Sequence, residues 1–341
     1  MKAMVTRAVA SKPVKQSVQV GDRRLVISNL EKILYPQTGF TKGEVLDYYA
    51  HVAPVLLPHL QGRPLTRKRY PDGVDGPSFF EKNAPRGTPD WVRTVTLPVP
   101  GSTKNRETVD FVVVDELATL IWVANLAALE LHVPQWKVGP RGRVLDADLL
   151  VLDLDPGPPA SIVECCEVAL LLRDVLHDDG IEAYPKTSGS KGMQLYAPLR
   201  PTPSDEARTY ARSLALRLEK QRPGLVVSEM TKSLRGGKVF IDWSQNVAAK
   251  TTVAPYSLRA RPEQTVSTPI KWDEVSACGS PDDLKFVAAD VLARVEAHGD
   301  LLADLVSLPS NRRARLPRPE VSDDRTPSSE RPGSHRRGSG G

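Results

Sequence analysis

Asp148-Leu149-Leu150-Val151-Leu152-Asp153-Leu154-Asp155-Pro156-Gly157 is an apolar run that ends in Asp-x-Asp and is stopped at once by Pro-Gly. Read as a strand, it puts Asp153 and Asp155 on one face and Leu152 and Leu154 on the other. Two carboxylates about 7 Å apart on one strand repel each other. A divalent cation between them relieves that repulsion, and hard oxygen ligands suit Mg²⁺ or Mn²⁺. A solvated strand end before a turn would read the same way.

A third carboxylate lies downstream in Lys238-Val239-Phe240-Ile241-Asp242-Trp243, an apolar strand with one acid inside it. An Asp flanked by Ile and Trp is costly to bury unpaired, so it needs a cation or an arginine partner. If its strand lies beside the first, three Asp converge. Three Asp and two metal ions activate a hydroxyl and steady the leaving oxygen in phosphoryl transfer.

Between these strands lies Lys186-Thr187-Ser188-Gly189-Ser190-Lys191-Gly192-Met193. Two glycines, two serines and two lysines read as an anion-binding loop with inward-turned backbone N–H groups, or as a flexible surface turn. The Walker A spacing is absent. Thr231–Lys238 and Lys250–Arg259 add cations on both sides of Asp242. His132, in Glu130-Leu131-His132-Val133-Pro134, falls at the end of a predicted helix, where a lone His is normally a packing residue. Lys68-Arg69-Tyr70-Pro71-Asp72-Gly73 lacks the K-x-D-G spacing of a nucleotidyl-transferring ligase, and 341 residues leave little room for one.

Around these motifs, helices and strands alternate. Ser28-Asn29-Leu30-Glu31 and Thr41-Lys42-Gly43-Glu44 both have the form of a capping box, predicting two helix N-termini, where anions bind well. The second opens a helix over roughly 42–53; further helices are expected near 115–131, 161–178 and 204–221. Strands are expected at 63–70, 108–114, 149–153, 194–198, 225–228 and 238–243. This is an α+β chain with a partly antiparallel sheet.

Net charge is +5, but residues 1–24 carry +5 and residues 311–341 carry +4, leaving −4 for 25–310. Nucleic acid would therefore meet local patches on the body, with basic ends adding salt-sensitive contacts. Three cysteines, two of them adjacent, make no disulfide framework or zinc knuckle and suit a reducing cytoplasm. No apolar run reaches the roughly 18 residues of a membrane span. The expected organisation is a flexible basic segment at 1–20, one catalytic domain at 21–305 and a disordered tail at 306–341.

Several long motifs, in order over roughly 20–300, carry a resemblance: SNLEKILYP, RPLTRKRYPDG, FFEKNAP, ELHVPQW, DLDPG, KTSGSKG, MTKSLRGGKVFIDWSQN and KTTVAPYSLR. The chain resembles the polymerase domain of bacterial ligase D, in the archaeo-eukaryotic primase superfamily, as a stand-alone member. The resemblance implies a primase-type fold, with an RRM-like antiparallel catalytic sheet flanked by helices. It implies template-directed addition of ribo- or deoxyribonucleoside triphosphates at DNA ends and short gaps, with two Mn²⁺ or Mg²⁺ ions. Asp153, Asp155 and Asp242 match the metal-binding acids. His132, Ser188, Lys191 and Arg259 fall where the family holds the nucleotide's sugar and triphosphate. Asn29, Lys32 and Lys42 fall where it grips a 5′-phosphate. Phe79 and Phe80 fall where it stacks on bases, although an adjacent Phe pair reads alone as core. Arg235 falls in a loop that positions template or primer. Gln194 stands where the family has His, and Gln cannot carry positive charge.

The implied partners are gapped or broken duplex DNA with a 5′-phosphate, nucleoside triphosphates, a separate ligase and bacterial Ku, for a monomer in the cytoplasm at the nucleoid. A dedicated primase and a non-catalytic 5′-phosphate end binder are the rival readings. A pure binder gains nothing from three acids near a phosphate, and a nuclease has no use for a triphosphate loop.

Overall fold

The apolar run before Asp155 forms a strand, Val144–Pro156, in the computed structural model of the chain, which describes residues 15–99 and 107–317. In chain order, β1 (Lys15–Val20) and β2 (Arg23–Ser28) form a hairpin. The short pair β3 (Ile33–Tyr35) and β4 (Phe40–Thr41) leads into α1 (Lys42–Leu60). Next come β5 (Pro64–Arg69), β6 (Phe79–Glu81), β7 (Thr94–Pro98) and β8 (Thr108–Val113). Helix α2 (Leu117–Asn125), β9 (Ala128–Val133), β10 (Trp136–Val138) and β11 (Val144–Pro156) follow. Then come α3 (Ile162–Asp178), β12 (Tyr184–Thr187), β13 (Met193–Thr202) and α4 (Ser204–Gln221). The chain continues through β14 (Val226–Val227), β15 (Val239–Asp242) and β16 (Thr252–Val253). It closes with α5 (Trp272–Ala277), α6 (Ala288–His298) and α7 (Ala303–Ser307).

Two sheets organise the fold. One runs β16-β9-β5-β8-β7, with β6 on β5; the other runs β12-β13-β11-β15-β14, with β10 on β11. Every pairing is antiparallel except β14 with β15. Helices α1 and α2 cover the first sheet through a core that includes Tyr48, Tyr49, Leu56, Leu120 and Leu131. Helices α3 and α4 cover the second through Leu152, Leu154, Leu172, Leu195, Leu214 and Ile241. Leucines 152 and 154 thus bury the face of β11 opposite its two acids, as alternation requires.

Several expectations need correction. The helix from Thr41 runs past residue 53 to Leu60, with Pro54 and Pro58 inside it. Pro54, and Ala50 whose carbonyl it leaves without a helical donor, are both exposed residues, while Leu56, His59 and Leu60 remain buried. The helix expected over 115–131 ends at Asn125; Ala127 turns the chain at a φ of 58° and a strand begins at Ala128. All of Ala128–Leu131 is buried, so this strand lacks the alternation that would have separated it from a helix. Ser28–Glu31 opens no helix: β2 ends at Ser28, and Asn29 is left-handed at a φ of 56°. Thr41 and Glu44 do form the reciprocal capping box.

The ends also differ. Residues 15–20 of the segment expected to be flexible are strand β1; residues 1–14 and 318–341 lie outside the described residues. Residues 306–317, placed in the tail by composition, pack on the body. Arg313 donates to the carbonyls of Leu305, Leu308 and Asp148. Arg200 donates to those of Asn311 and Arg313, and Ala314 and Leu316 pack against the second core. Guanidinium-to-carbonyl bonds here add to the apolar packing of Ala314 and Leu316. A chain ending at 305 should melt lower than one ending at 317 by roughly 5 °C or more. Equal thermal midpoints would show that the segment only decorates the surface.

Candidate active site

The second sheet brings four polar side chains into one row. Asp153 of β11 lies opposite Gln194 of β13 on one side and Asp242 of β15 on the other; Lys186 of β12 lies opposite Gln194. Directly paired residues in antiparallel strands share a face. Asp155, two residues along, is on that face opposite Phe240. The Arg235 guanidinium sits 3.7 Å above the Phe240 ring, beside Asp155.

The electrostatics of the row follow from burial. Burial, and then the charge of Asp155, pushes the Asp153 carboxyl up to about 7, although Gln194 Nε2 donates to its Oδ1 at 3.0 Å. Burial and Asp242 raise Asp155, against Arg235 and Arg259. Lys186 is fully buried, donates to Ser267 Oγ and lies 5.3 Å from the Tyr196 ring centre. Burial, then Arg259, holds its ammonium well below the usual lysine value.

The donor chemistry of Asp153 and Asp155 fits a hard divalent cation, because only carboxylate oxygens are offered, the two like charges repel, and the partial burial of Asp153 makes its uncompensated charge expensive. Asp242 reaches the same face but is engaged locally. Its Oδ1 accepts from Ser244 N at 3.0 Å and from Ser244 Oγ; its Oδ2 accepts from Gln245 Nε2 at 2.7 Å, with Lys250 Nζ at 3.7 Å. Among the described residues no three His, Cys, Asp or Glu converge to hold an ion. The expected convergence of three acids is met in strand register, and the charge of Asp242 acts on both Asp153 and Asp155, while its oxygens are also engaged by the turn that follows. The turn that follows β15 supplies donors that draw the Asp242 carboxylate to itself.

Ser188–Gly192 connects β12 to β13 beside this row. Gly189 is left-handed at a φ of 65°, and a Cβ there would sit 2.6 Å from the Val266 backbone. A Cβ on Gly192 would meet Leu154 O at 2.0 Å, so the loop seats on β11, and against Val266, only without side chains at these points. The expected inward N–H groups are partly spent: Ser188 Oγ accepts from Ser190 N and Gly192 N at 3.2 and 3.3 Å. Arg259 Nη1 donates to Ser188 O at 2.9 Å. Lys191 is exposed and makes no ion pair among the described residues. A cavity of about 540 Å³ adjoins the loop, lined by Pro156, Ser161, Lys191, Arg261 and Lys285.

His132 lies on β9 rather than at a helix end. Its Nε2 is 2.9 Å from Glu130 Oε2, and its ring meets Phe80 edge-on at 5.6 Å. Phe79 and Phe80 are 48% and 51% exposed, so the core reading of that pair fails. Asn29, Lys32 and Lys42 gather where the β2–β3 turn meets the start of α1. Lys42 N donates to Lys32 O at 2.8 Å, and Lys42 Nζ to Ser28 O at 2.6 Å. Lys32 Nζ pairs with Asp72 at 2.9 Å. Lys42 is 5% exposed; burial, then Lys32 and Arg69, lower its ammonium to about 8.

Lys186, read from the sequence as part of the anion-binding loop, is instead buried within the strand row, and neither Glu130 nor Arg69 carries a sequence signal of its own. Glu130 and His132 are two apart on a strand and therefore share a face; that signal was hidden while the segment read as helix.

The family model described as "LigD, primase-polymerase domain" matches residues 41–302. The multifunctional non-homologous end joining DNA repair protein LigD of Mycobacterium tuberculosis is 46% identical over 290 residues, covering 83% of this chain and 37% of that protein. The bifunctional non-homologous end joining protein LigD of Bacillus subtilis is 33% identical over 291 residues, covering 85% of this chain and 44% of that protein. The chain therefore spans less than half the length of these relatives. A solved structure of the polymerase domain from Mycobacterium tuberculosis ligase D in complex with DNA superposes with a TM-score of 0.78 at 46% identity, covering 83% of this chain and 98% of that one.

Proposed function

The chain belongs to the LigD primase-polymerase domain family, and on that premise we propose that it is a template-directed nucleotidyltransferase that fills short gaps at broken DNA ends. Its α+β architecture of antiparallel sheets and covering helices is the primase-type fold. The observation that carries the functional reading is the row of Gln194, Asp153 and Asp242, with Asp155 beside it and the Ser188–Gly192 loop at its edge.

In this reading Asp153, Asp155 and Asp242 would hold Mn²⁺ or Mg²⁺. Bound there, the ions supply charge stabilisation at the attacking hydroxyl and the leaving pyrophosphate. Ser188, Lys191 and Arg259 hold the triphosphate, and His132 meets the sugar. Arg235, stacked on Phe240, steadies the template or primer strand, and the exposed Phe79 and Phe80 offer faces for base stacking. Lys32, Lys42 and Asn29 grip a downstream 5′-phosphate away from the chemistry. A filled gap leaves a nick, so a ligase activity must act next, and an end-binding protein such as bacterial Ku would bring the DNA. Among the described residues no helix is long and apolar enough to cross a membrane.

The test uses Mn²⁺, nucleotides and a 5′-phosphorylated gapped duplex, followed by unprimed template. Extension of the gapped primer supports the reading. Synthesis only on unprimed template would make the protein a primase, and a gel shift without extension would make it an end binder.

Two further results are expected. Gln194→His should lower the nucleotide KM several-fold, because imidazolium adds a positive charge where Gln offers only a neutral donor. An unchanged or higher KM would show that this position faces Asp153 alone. The second is pH-dependent. Lys42 loses its charge as pH rises through about 8, while a phosphate monoester stays a dianion across that range. The ratio of affinities for 5′-phosphate over 5′-hydroxyl duplex should therefore be highest below that value and fall above it. A constant ratio removes Lys42 from the contact.

A further inference from the structure

Glu130 lies at the centre of the groups assigned above to the nucleotide, yet touches none of the acids. It is 2% exposed. Its Oε2 is 2.9 Å from His132 Nε2 and 3.5 Å from Arg259 Nε. Its Oε1 accepts from Ala260 N at 3.1 Å and lies 3.8 Å from Lys68 Nζ. The other end of Arg259 reaches Ser188 O, so one carboxylate ties β9, β5 and the 259–260 segment to the Ser188 loop.

We propose that Glu130 is the positioning residue of the nucleotide pocket: it fixes His132 in the Nε2–H tautomer and anchors Arg259, so that the imidazole presents Nδ1 as an acceptor to a sugar hydroxyl. A carboxylate ringed by an imidazole, a guanidinium, an ammonium and a backbone N–H is an acceptor only, so the ring nitrogen it touches carries the hydrogen. In a neutral imidazole the other nitrogen is then a free lone pair. Burial would raise the Glu130 carboxyl, but the His132 hydrogen bond and the charges of Arg259 and Lys68 hold it down to about 2. Burial lowers the His132 imidazole against the pull of Glu130, which keeps the ring neutral near pH 7. Arg259 is drawn to Glu130 by charge, its Nε 3.5 Å away without a hydrogen bond, and donates from Nη1 to Ser188 O, so it loses little freedom when a phosphate arrives.

The inference rests on the polymerase reading for the identity of the ligand, and the experiment keeps the two apart. Side-chain ¹⁵N spectra of histidine-labelled protein report the tautomer, with His132→Asn identifying the signal. UTP with Mn²⁺ serves as the nucleotide probe in an equilibrium titration. Wild-type His132 should be protonated at Nε2. Glu130→Gln should give a mixture of tautomers, weaken UTP binding by about tenfold or more, and leave affinity for 5′-phosphorylated gapped duplex within about twofold. Glu130→Asp, which keeps the charge on a shorter stem, should fall between the two in UTP affinity. A purely structural carboxylate would instead lower the thermal midpoint and both affinities together. Wild-type His132 protonated at Nδ1, or UTP affinity unchanged in Glu130→Gln, overturns the proposal. If Glu130→Gln does not fold, the wild-type tautomer and Glu130→Asp decide: unchanged UTP affinity in the latter overturns it equally. A wild type that binds no UTP while showing the Nε2–H tautomer refutes the polymerase reading, and the nucleotide role of Glu130 with it, but leaves the contact standing.

Discussion

Asp153→Ala and Asp155→Ala should each reduce nucleotide addition by several powers of ten, since loss of a ligand misplaces both ion and triphosphate. Asp242 needs a gentler change because its Oδ1 also caps the following turn. Asp242→Asn keeps that acceptor and removes the charge, and should be as inactive as the other two. Binding to gapped DNA should survive in all three, as removing an acid weakens no phosphate contact. Primer extension and gel shift on the same preparations check both halves. Any variant retaining more than about a tenth of wild-type extension takes its residue out of the metal site.

The same acids should oppose stability. The folded Asp153 carboxyl titrates at about 7, above the unfolded value near 4. Between those values the folded state holds the proton that the unfolded state has lost, so stability falls as pH rises through the window and stays lower above it. Asp153→Asn removes that penalty and should melt at or above the wild type at neutral pH. A clear loss of stability instead would mean that the charged row holds the sheet together.

The second large effect concerns the 5′-phosphate. Lys32→Ala and Lys42→Ala should each cost about 10- to 100-fold in affinity for 5′-phosphorylated gapped duplex, the loss of one charge-assisted contact of about 1–3 kcal/mol. Affinity for the 5′-hydroxyl duplex should change far less. Lys42 should show the larger loss: it is buried and two cations crowd it, whereas Lys32 is half-exposed and shared with Asp72. Equal affinity of the wild type for both duplexes would refute the pocket.

Local features of the amino-acid sequence carried much of this site. The alternation in Leu152-Asp153-Leu154-Asp155 decided which side chains are buried and which are presented, because a strand has period two wherever it lies. Thr41 and Glu44 decided where α1 begins, because a capping box closes within four residues. Motif order over most of the chain pointed to the family.

Tertiary structure decided what depends on partners far along the chain. Ser28 and Glu31 have the same box pattern and make a turn, because Leu30 O and Lys32 O are taken by Gly43 N and Lys42 N. Residues 128–133 are a strand because β5 and β16 flank them, and full burial erased the periodicity that marks a strand at a surface. That placement alone puts Glu130 and His132 side by side. The row from Lys186 to Asp242 exists only through the register of four strands, and the Asp242 carboxylate is also engaged by Ser244 and Gln245 of the turn that follows. Residues 306–317 read as tail from composition, which measures apolar content. They are held by arginine-to-carbonyl bonds as well as by Ala314 and Leu316 against the second core, and the acceptors on Asp148, Leu305 and Leu308 come together only once the chain has folded.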